Sequence, residues 1–302
     1  MTAATARSVA IATCAAWPEI GPGLSPLVRA FESRGIAVTC LPWQHPDEDR
    51  FARAGLILPL CAWDYAAAPQ AFRDWILRIA GAGGRFANPP GLMLWNMDKG
   101  YLRDLAGRGV AVPPTVMIDD PSPAALAAMM ADRGWGRAVL KPAVGQSGNG
   151  VTLLDCDRIG DWPRLAGGRH ILQPFLPALR DRGEISLIHI RGAFSHAVLR
   201  RPAAGEWRAN SQYGVAVGKA RPDPVTLAAA RSALDALPAI PAYARVDGCL
   251  SPERGFTVTE VELIEPALFL HLWPGKAGWI ADLLDPGPDW LASRVAPCPT
   301  SA

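Results

Sequence analysis

The chain is poor in cysteine, and its cysteines show no pairing or metal-binding pattern. Its 302 residues include six, namely Cys14, Cys40, Cys61, Cys156, Cys249 and Cys298. No CxxC pair occurs, and no histidine lies at metal-ligand spacing, which argues against a zinc site or a disulfide framework. We expect these side chains to be small buried thiols in a protein of the reducing cytoplasm.

Long apolar runs and an excess of one charge are also lacking. No segment reaches the roughly 20 apolar residues that a membrane span requires. The net charge of +2 gives no reason to expect nucleic acid or an anionic membrane as a partner. The apolar stretch after Arg7 has features of a secretory signal. We interpret Ser8–Thr13 instead as a buried strand, because a helix and a second strand follow at βαβ spacing.

Short strands and helices alternate in the first third of the chain. Val9–Ala12, Ile36–Leu41 and Leu56–Leu60 predict strands, and helices are expected near Leu24–Ser33 and Pro69–Ala80. This alternation is typical of a small parallel α/β sheet, which binds ligands beyond the carboxyl ends of its strands.

The pattern then changes to mixed α+β, with a helix predicted over Trp95–Arg108 and mainly strands from Gly183 onward. Arg191-Gly192 predicts the turn of an antiparallel hairpin. The Pro-rich tail after Asp285 is expected to be loosely ordered. The predicted units are residues 1–94, 95–180 and 181–302.

Trp63-Asp-Tyr65 falls just after the third predicted strand, at the edge where such a sheet binds ligands. Asp64 is a candidate partner for the ammonium group of an amino-acid-like substrate, and Tyr65 offers a hydroxyl and an aromatic wall. Packing of Tyr65 and capping of the next helix by Asp64 stay open as alternatives.

A glycine-rich loop, Gly145–Gly150, follows the strand that ends near Lys141. Small residues let backbone N–H groups approach phosphate oxygens, and the lysine adds a positive charge. No GK[ST] closes the loop, so it is not a Walker A motif. A phosphate-binding loop and a structural hairpin beside a surface lysine both remain open from these residues alone.

Three carboxylates are predicted to share one face of neighbouring strands. Glu260 and Glu262 are two residues apart, so their side chains point the same way, and Asp247 joins them if the strands pair. Such a cluster favours Mg²⁺ or Mn²⁺ bound together with a polyphosphate. The alternative is a solvated strand face, which the apolar neighbours Val261 and Leu263 disfavour.

A cationic segment lies between the loop and the carboxylates. Arg200-Arg201 precedes Arg208 and Asn210, which share a face if the backbone is extended. A guanidinium beside an amide suits the charge that develops during phosphoryl transfer. By itself the segment is more typical of a polar loop with exposed arginines.

In this order the segments resemble the ATP-grasp superfamily, in particular the branch of glutathione synthetase and the glutamate-adding ligases. The resemblance covers about residues 88–284 and is carried by Lys99, Lys141 with its loop, Ile171-Leu-Gln-Pro-Phe175, Gly183-Glu184, Arg208–Asn210, Asp247, Glu260 and Glu262. Further segments are similar to small cyclo-ligases of the kind that closes O-ureido-D-serine to D-cycloserine, namely Trp63-Asp-Tyr65, Asn88-Pro-Pro, Trp95-Asn-Met-Asp-Lys99, Phe194-Ser-His-Ala197 and Glu262-Leu-Ile-Glu-Pro-Ala-Leu-Phe269.

The resemblance implies a two-lobed ATP-grasp fold behind an N-terminal pre-ATP-grasp domain, and a role for each matching residue. The implied ATP contacts are Lys99, Lys141, Gly145, Gln146, Ser147 and Gly148 at the phosphates or adenine edge, Gln173 and Phe175 at the adenine rim, and Glu184 at the ribose. Arg208 and Asn210 would meet the γ-phosphate as catalytic groups, Arg200 would face the substrate, and Asp247, Glu260 and Glu262 would bind two magnesium ions or Mn²⁺.

Two positions depart from the pattern of these relatives. Ser186 stands where glutathione-synthetase relatives have an arginine, which leaves the identity of the cation that anchors the substrate open. Glu262 stands where an asparagine is usual and adds negative charge at the metals.

The predicted function is an ATP- and magnesium-dependent ligase that forms a C–N bond through an acyl-phosphate, within one molecule as in cycloserine ring closure. The alternatives are an intermolecular amino-acid ligase and an ATP-binding sensor that ligates nothing. The expected partner is an amino-acid-like small molecule, with no nucleic acid and no membrane, and a homodimer is left open.

Overall fold

The computed structural model describes residues 7–163, 166–251 and 255–287. Cys298 and the part of the predicted tail from Pro288 onward lie outside the described residues, as do residues 1–6 at the start. None of the helices described is long and apolar enough to cross a membrane. Cys14, Cys40, Cys61, Cys156 and Cys249 are free thiols.

The first sheet is parallel and three-stranded, in the order β2-β1-β3. Its strands are β1 (Ser8–Thr13), β2 (Ala37–Pro42) and β3 (Leu56–Leu58), with helices α1 (Ser25–Glu32), α2 (Asp49–Ala52) and α3 (Pro69–Gly81) between and after them. Every residue of β1 from Val9 to Thr13 is buried, since helices cover a parallel sheet on both faces. The predicted first strand and the parallel α/β pattern are therefore confirmed.

The second sheet is antiparallel and four-stranded, in the order β4-β7-β5-β6. It contains β4 (Val116–Asp119), β5 (Arg137–Pro142), β6 (Thr152–Asp155) and β7 (Arg169–Pro174), and it follows helices α4 (Pro90–Asn96) and α5 (Tyr101–Gly107). Ser122 is the N-cap of helix α6 (Pro123–Asp132), and its hydroxyl accepts a hydrogen bond from the Ala125 N–H at 3.3 Å.

The predicted continuous helix over Trp95–Arg108 is wrong, because the chain leaves the helix between α4 and α5. The carboxylate of Asp98 accepts a hydrogen bond from the N–H of Gly100 at 2.7 Å. The N–H of Lys99 donates instead to the carbonyl of Ala143, also at 2.7 Å. This break ties Lys99 to the end of β5, next to the glycine loop.

The third sheet is antiparallel and five-stranded, in the order β10-β9-β8-β11-β12. Its strands are β8 (Glu184–Ile190), β9 (Ala193–Arg201), β10 (Ala216–Ala220), β11 (Tyr243–Ser251) and β12 (Gly255–Glu262), and the accompanying helices are α7 (Pro177–Arg182), α8 (Pro224–Asp235) and α9 (Ala277–Leu283). The predicted hairpin turn at Arg191-Gly192 is confirmed, with both residues at positive φ, 50° and 79°. The boundaries of the three predicted units stay predictions.

Buried amides connect the segment before the second sheet to the end of β12. The side chain of Asn88 donates to the carbonyls of Tyr243 and Leu263 at 2.9 and 2.7 Å. Asn96 donates to the carbonyl of Val261 at 2.8 Å and accepts from the N–H of Leu263 at 2.9 Å. These bonds fix the strand that carries Glu260 and Glu262 against the helix that precedes Lys99.

His196 on β9 is buried between Ser195 and the chain after β12. Its Nε2 donates to the carbonyl of Leu268 at 2.7 Å, because a carbonyl can only accept, and Nδ1 lies 2.9 Å from the Ser195 hydroxyl. Burial lowers the pKa of His196 to about 4. The folded protein therefore holds this imidazole neutral at pH values where an exposed histidine is charged.

We predict that His196→Gln reduces the loss of stability on acidification. The pKa of His196 is lower in the folded than in the unfolded chain, so stability falls as the pH drops from about 6.5 toward about 4. Between pH 7.5 and 5.0 this histidine accounts for about 2 kcal/mol, and glutamine keeps a donor toward Leu268 without titrating. Urea unfolding of both proteins at the two pH values measures the difference. An unchanged pH dependence would contradict the assignment.

Candidate active site

Two adjoining cavities lie where the second and third sheets meet. The first cavity is bordered by Lys99, Lys141, the glycine loop, Arg208, Asn210, Glu260 and Glu262. The second cavity, of about 380 Å³, is bordered by Trp63, Arg245, Ala267 and Phe269 among others. Gln146, Ser147, Arg200, Ala209, Asn210, Glu262 and Glu265 border both. The two cavities therefore share a wall of charged side chains.

The glycine loop joins β5 to β6 and packs against the segment that follows β9. Ser147 and Gly148 have positive φ angles of 56° and 74°. A Cβ atom on Gly148 would lie 2.7 Å from the side-chain oxygen of Asn210, so only glycine allows this approach. Tyr213 donates its hydroxyl to the Gly148 carbonyl at 3.3 Å. The loop thus forms part of the lining of the first cavity, and its backbone has the shape of a phosphate-binding loop.

Two lysines reach the first cavity from different elements. Lys99 donates to the carbonyl of Gly145 at 2.6 Å, and its Nζ lies 2.7 Å from a carboxylate oxygen of Glu260. Burial alone would lower the pKa of Lys99, but the carboxylates of Glu260, Glu262 and Glu265 together outweigh it and the pKa is raised. Burial lowers the pKa of Lys141, which has no ion pair among the described residues. Lys141 is therefore the cation of the cavity that is available to an incoming anion.

A buried network of carboxylates and arginines forms the shared wall. Asp247, which is 0% exposed, lies with one oxygen 2.6 Å from Arg200 Nη2 and 2.8 Å from Arg245 Nη2. Arg200 Nη2 also pairs with Glu184 at 2.6 Å, and Arg245 pairs with Glu262. Burial opposes ionisation of Asp247, but the two guanidiniums prevail and hold its pKa below the usual value.

The three carboxylates predicted from the sequence come together as a potential metal centre. One oxygen from each of Asp247, Glu260 and Glu262 lies within 4.8 Å of the others. Hard carboxylate oxygens at this spacing fit Mg²⁺. Burial, with Glu260 and Asp247 nearby, raises the pKa of Glu262 to about 7 despite its contact with Arg245. An additional cation beside Glu262 would favour its ionised form, so the donor set fits a divalent ion.

Comparison with known proteins identifies the proteins that this chain is similar to. Residues 9–88 match the family described as the N-terminal domain of D-cycloserine synthetase DcsG. The cycloserine biosynthesis protein DcsG of Streptomyces lavendulae is 30% identical over 200 residues, which are 63% of this chain and 66% of that protein, just under two thirds of its length. The crystal structure of D-cycloserine synthetase DcsG has a TM-score of 0.76 at 25% identity and covers 92% of this chain and 100% of that one. ATP-grasp ligase PsnB, complexed with a phosphomimetic variant of minimal precursor, Mg and ADP, has a TM-score of 0.62 at 16% identity, with 92% and 97% covered.

The chain has the fold of the ATP-grasp ligases and is similar in sequence to D-cycloserine synthetase DcsG. The predicted fold is therefore confirmed, and the similarity to these ligases supports the predicted class of ATP-dependent ligase. ATP-grasp ligases use ATP and Mg²⁺. The first cavity offers cations that suit the phosphates of ATP and carboxylates that suit Mg²⁺.

The segment after β9 presents Arg208 to the first cavity in a fixed orientation. Glu206 accepts two hydrogen bonds from the Arg208 guanidinium, at 3.1 and 2.7 Å, and this pairing lowers the pKa of Glu206 to about 2. The guanidinium also stacks on the ring of Tyr213 at 3.6 Å. Arg208 is therefore preorganised at the cavity wall next to Asn210.

Some predicted nucleotide residues lie away from the cavities. Gln173 and Phe175, predicted at the adenine rim, border neither cavity. The Gln173 amide donates to Thr115 at 2.9 Å, and the Phe175 ring packs beneath Arg137 at 4.5 Å. Glu184, predicted at the ribose, does border the first cavity, but its carboxylate is engaged by Arg200. The ribose and adenine roles stay predictions.

The structure does not bring Asp64 to the site. Its two carboxylate oxygens accept hydrogen bonds from Trp43 Nε1 and Gln44 Nε2, each at 2.6 Å, and it borders neither cavity. It makes no capping hydrogen bond to the turn that follows, so the alternative of a helix cap is not supported either. Tyr65 is buried and stacks on Phe72 at 4.9 Å, while it also borders the first cavity.

Sequence reasoning missed Arg245 and Glu265, which both border the second cavity. Arg245 lies two residues before Asp247 on β11, so strand alternation places both side chains on one face, and this spacing was a usable signal. Glu265 follows the end of β12 in an irregular turn, where no periodicity reveals its direction. Ser186 lies opposite Asp247 across β8 and β11, and Asp247 pairs with Arg200 from β9.

We predict that Asp247→Asn destabilises the fold as well as the site. The substitution leaves two buried guanidiniums without their shared counter-charge, and breaking a buried ion pair costs about 3–5 kcal/mol. Asp235→Asn is the matched control, because its pair with Arg231 is exposed and contributes below about 1 kcal/mol. Unfolding free energies of the three proteins in urea test this. Equal losses in the two variants would contradict it.

Proposed function

We propose that this ATP-grasp ligase transfers the γ-phosphoryl group of ATP to a carboxylate of an amino-acid-like substrate and then forms a C–N bond. One observation carries the proposal. The first cavity has cations suited to a nucleotide and carboxylates suited to a metal ion. It shares a wall with the second cavity, which is lined by Arg245, a cation suited to a carboxylate.

The first cavity supports the nucleotide role residue by residue. Lys141 lies on β5 of the second sheet and Arg208 on the segment that follows β9. Both line the first cavity, as required to neutralise a triphosphate from two sides. The loop over them provides backbone N–H groups and excludes water. Two Mg²⁺ ions, or Mn²⁺, held by Asp247, Glu260 and Glu262, would supply charge neutralisation at the transferring phosphate when bound.

The second cavity supports the role of a carboxylate substrate. Arg245 uses Nε and Nη2 for Asp247 and Glu262. Within residues 7–163, 166–251 and 255–287 no acceptor is hydrogen-bonded to its Nη1. That nitrogen is a donor for the substrate carboxylate, which would then lie close to the wall shared with the first cavity. Arg245 would orient the attacking oxygen, and Arg208 would meet the charge that develops at the phosphorus.

The two chemical steps balance without an enzyme nucleophile. A carboxylate oxygen forms a bond to the γ-phosphorus while the bond to the leaving ADP breaks. A nitrogen then attacks the carbonyl carbon, the C–O bond to phosphate breaks, and the nitrogen loses a proton. The similarity to D-cycloserine synthetase favours a nitrogen from the same molecule, as in ring closure. An intermolecular amino-acid ligase is the second candidate, favoured by the fold shared with PsnB.

We further propose that the protein works in the cytoplasm, where ATP and Mg²⁺ are available and where the free thiols of the described cysteines stay reduced. A homodimer stays a prediction, which light scattering of the purified protein tests. The ATP-binding sensor is disfavoured, because a three-carboxylate metal centre is more than binding alone requires.

We predict that O-ureido-D-serine with ATP and Mg²⁺ yields ADP and phosphate without an added amine. Lys141→Met should lower kcat/KM at least tenfold, because the cation that faces the phosphates is lost. Lys219→Met is the matched control, since Lys219 lies over the ring of Trp273 at 4.7 Å and borders neither cavity. Coupled assays for ADP and phosphate provide the measurement.

If turnover strictly requires an added amine, the protein is an intermolecular ligase and the ring-closure assignment is wrong. ATP binding without ADP formation, with this compound and with pooled amino acids and amines, would favour the sensor.

A further inference from the structure

Glu265 is a buried carboxyl group at the junction of the two cavities. It lies three residues beyond Glu262, after the end of β12, and is 8% exposed. It borders the first and the second cavity. It is not one of the three carboxylates whose oxygens cluster within 4.8 Å of one another. The proposed metal centre therefore does not account for it.

Glu265 differs from the other acidic groups of the wall in lacking a cationic partner. Glu184 and Asp247 pair with Arg200, Glu262 pairs with Arg245, and Glu260 pairs with Lys99. No lysine or arginine nitrogen among the described residues lies within 4.0 Å of the Glu265 carboxyl oxygens. A carboxyl group that is more than nine-tenths buried without a counter-charge is costly unless a ligand supplies one.

The electrostatics of Glu265 agree with a missing cation. Burial raises the pKa of Glu265 well above its usual value, and the Glu262 carboxylate adds to this effect. A positive charge placed at the junction would restore the ionised carboxylate, since an opposite charge within a few ångströms favours it. The charge of Lys99, which is paired with Glu260, offsets this rise only in part. Since no lysine or arginine among the described residues pairs with Glu265, a cation that pairs with it directly must reach it through the cavities.

The second cavity has the further groups that an α-amino acid needs. Arg245 provides the unused Nη1 for a carboxylate, and it lies in the same cavity wall as Glu265. Trp63 and Phe269 add aromatic surface beside these charges. An anion-binding group and a cation-binding group in one cavity match a zwitterion whose ammonium nitrogen and carboxylate carbon are bonded to the same carbon.

We infer that Glu265 binds the α-ammonium group of the substrate and so selects α-amino acids over their α-hydroxy analogues. This inference rests on the proposed function, since it assigns the substrate class of the same site. It also replaces Asp64, the ammonium partner expected from the sequence, by a residue from the opposite end of the chain. Glu265 is thus a specificity residue, whereas nucleotide and metal binding fall to other side chains.

The experiment measures binding of matched pairs of small molecules by calorimetry. The protein is first saturated with the ATP analogue AMPPNP and Mg²⁺, and then titrated with the D- and L-forms of serine, glycerate, alanine and lactate. Each amino acid differs from its hydroxy acid in the α-ammonium group. We expect at least one amino acid to bind at least tenfold more tightly than its hydroxy analogue. Glu265→Gln should reduce that ratio to within about threefold, with unchanged AMPPNP affinity.

Two controls separate this role from a structural one. Asp64→Asn should keep the full preference for the amino acid, because its carboxylate is held by Trp43 and Gln44. Thermal unfolding identifies a Glu265→Gln protein that has merely lost its fold, and Glu265→Asp should then retain part of the preference in a folded protein.

The outcomes distinguish the inference from the proposed function. Failure of the unmodified protein to bind AMPPNP with Mg²⁺ contradicts both. Nucleotide binding with no preference for any amino acid of the panel, or a preference that survives Glu265→Gln, overturns the role of Glu265 alone. Loss of the preference in Asp64→Asn but not in Glu265→Gln would return the ammonium site to the first sheet.

Discussion

The buried carboxylate of Asp247 is the interaction on which the rest of the site depends. It lies fully enclosed in the five-stranded sheet and is shared by Arg200 from β9 and Arg245 from β11. Because each guanidinium also reaches a second carboxylate, Glu184 or Glu262, the network links four strands, β8, β9, β11 and β12, into one charged wall. In the proposed function this wall also sets the positions of the side chains that would face nucleotide and substrate, so the same network would support both the stability of the fold and the activity.

The charge balance of the wall agrees with the ligands proposed for it. Among the described residues that line the cavities, or that pair with a side chain lining them, there are six carboxyl groups and five cations. These are Glu184, Glu206, Asp247, Glu260, Glu262 and Glu265 against Lys99, Lys141, Arg200, Arg208 and Arg245. In the proposed function, ATP would bring negative charge toward Lys141, and a divalent ion and a substrate ammonium group would bring positive charge toward the carboxylates. Each ligand would thus meet groups of opposite charge.

Sequence reasoning succeeded where regular periodicity carried the information. The parallel first sheet, the hairpin at Arg191-Gly192 and the meeting of Asp247 with Glu260 follow from strand alternation. It failed where an irregular segment decides the direction of a side chain. The break that delivers Lys99 depends on a hydrogen bond made by Asp98, and Glu265 lies in a turn. The sequence also could not show that Trp43 and Gln44 hold Asp64 away from the cavities.

The central claim is that the site activates a substrate carboxylate by phosphorylating it. The most direct test uses O-ureido-D-serine labelled with ¹⁸O in its carboxylate, turned over with ATP and Mg²⁺, followed by mass spectrometry of the released phosphate. An acyl-phosphate intermediate transfers one labelled oxygen to phosphate in each turnover. We expect that transfer. Phosphate that carries no label, released in step with product, would contradict the account.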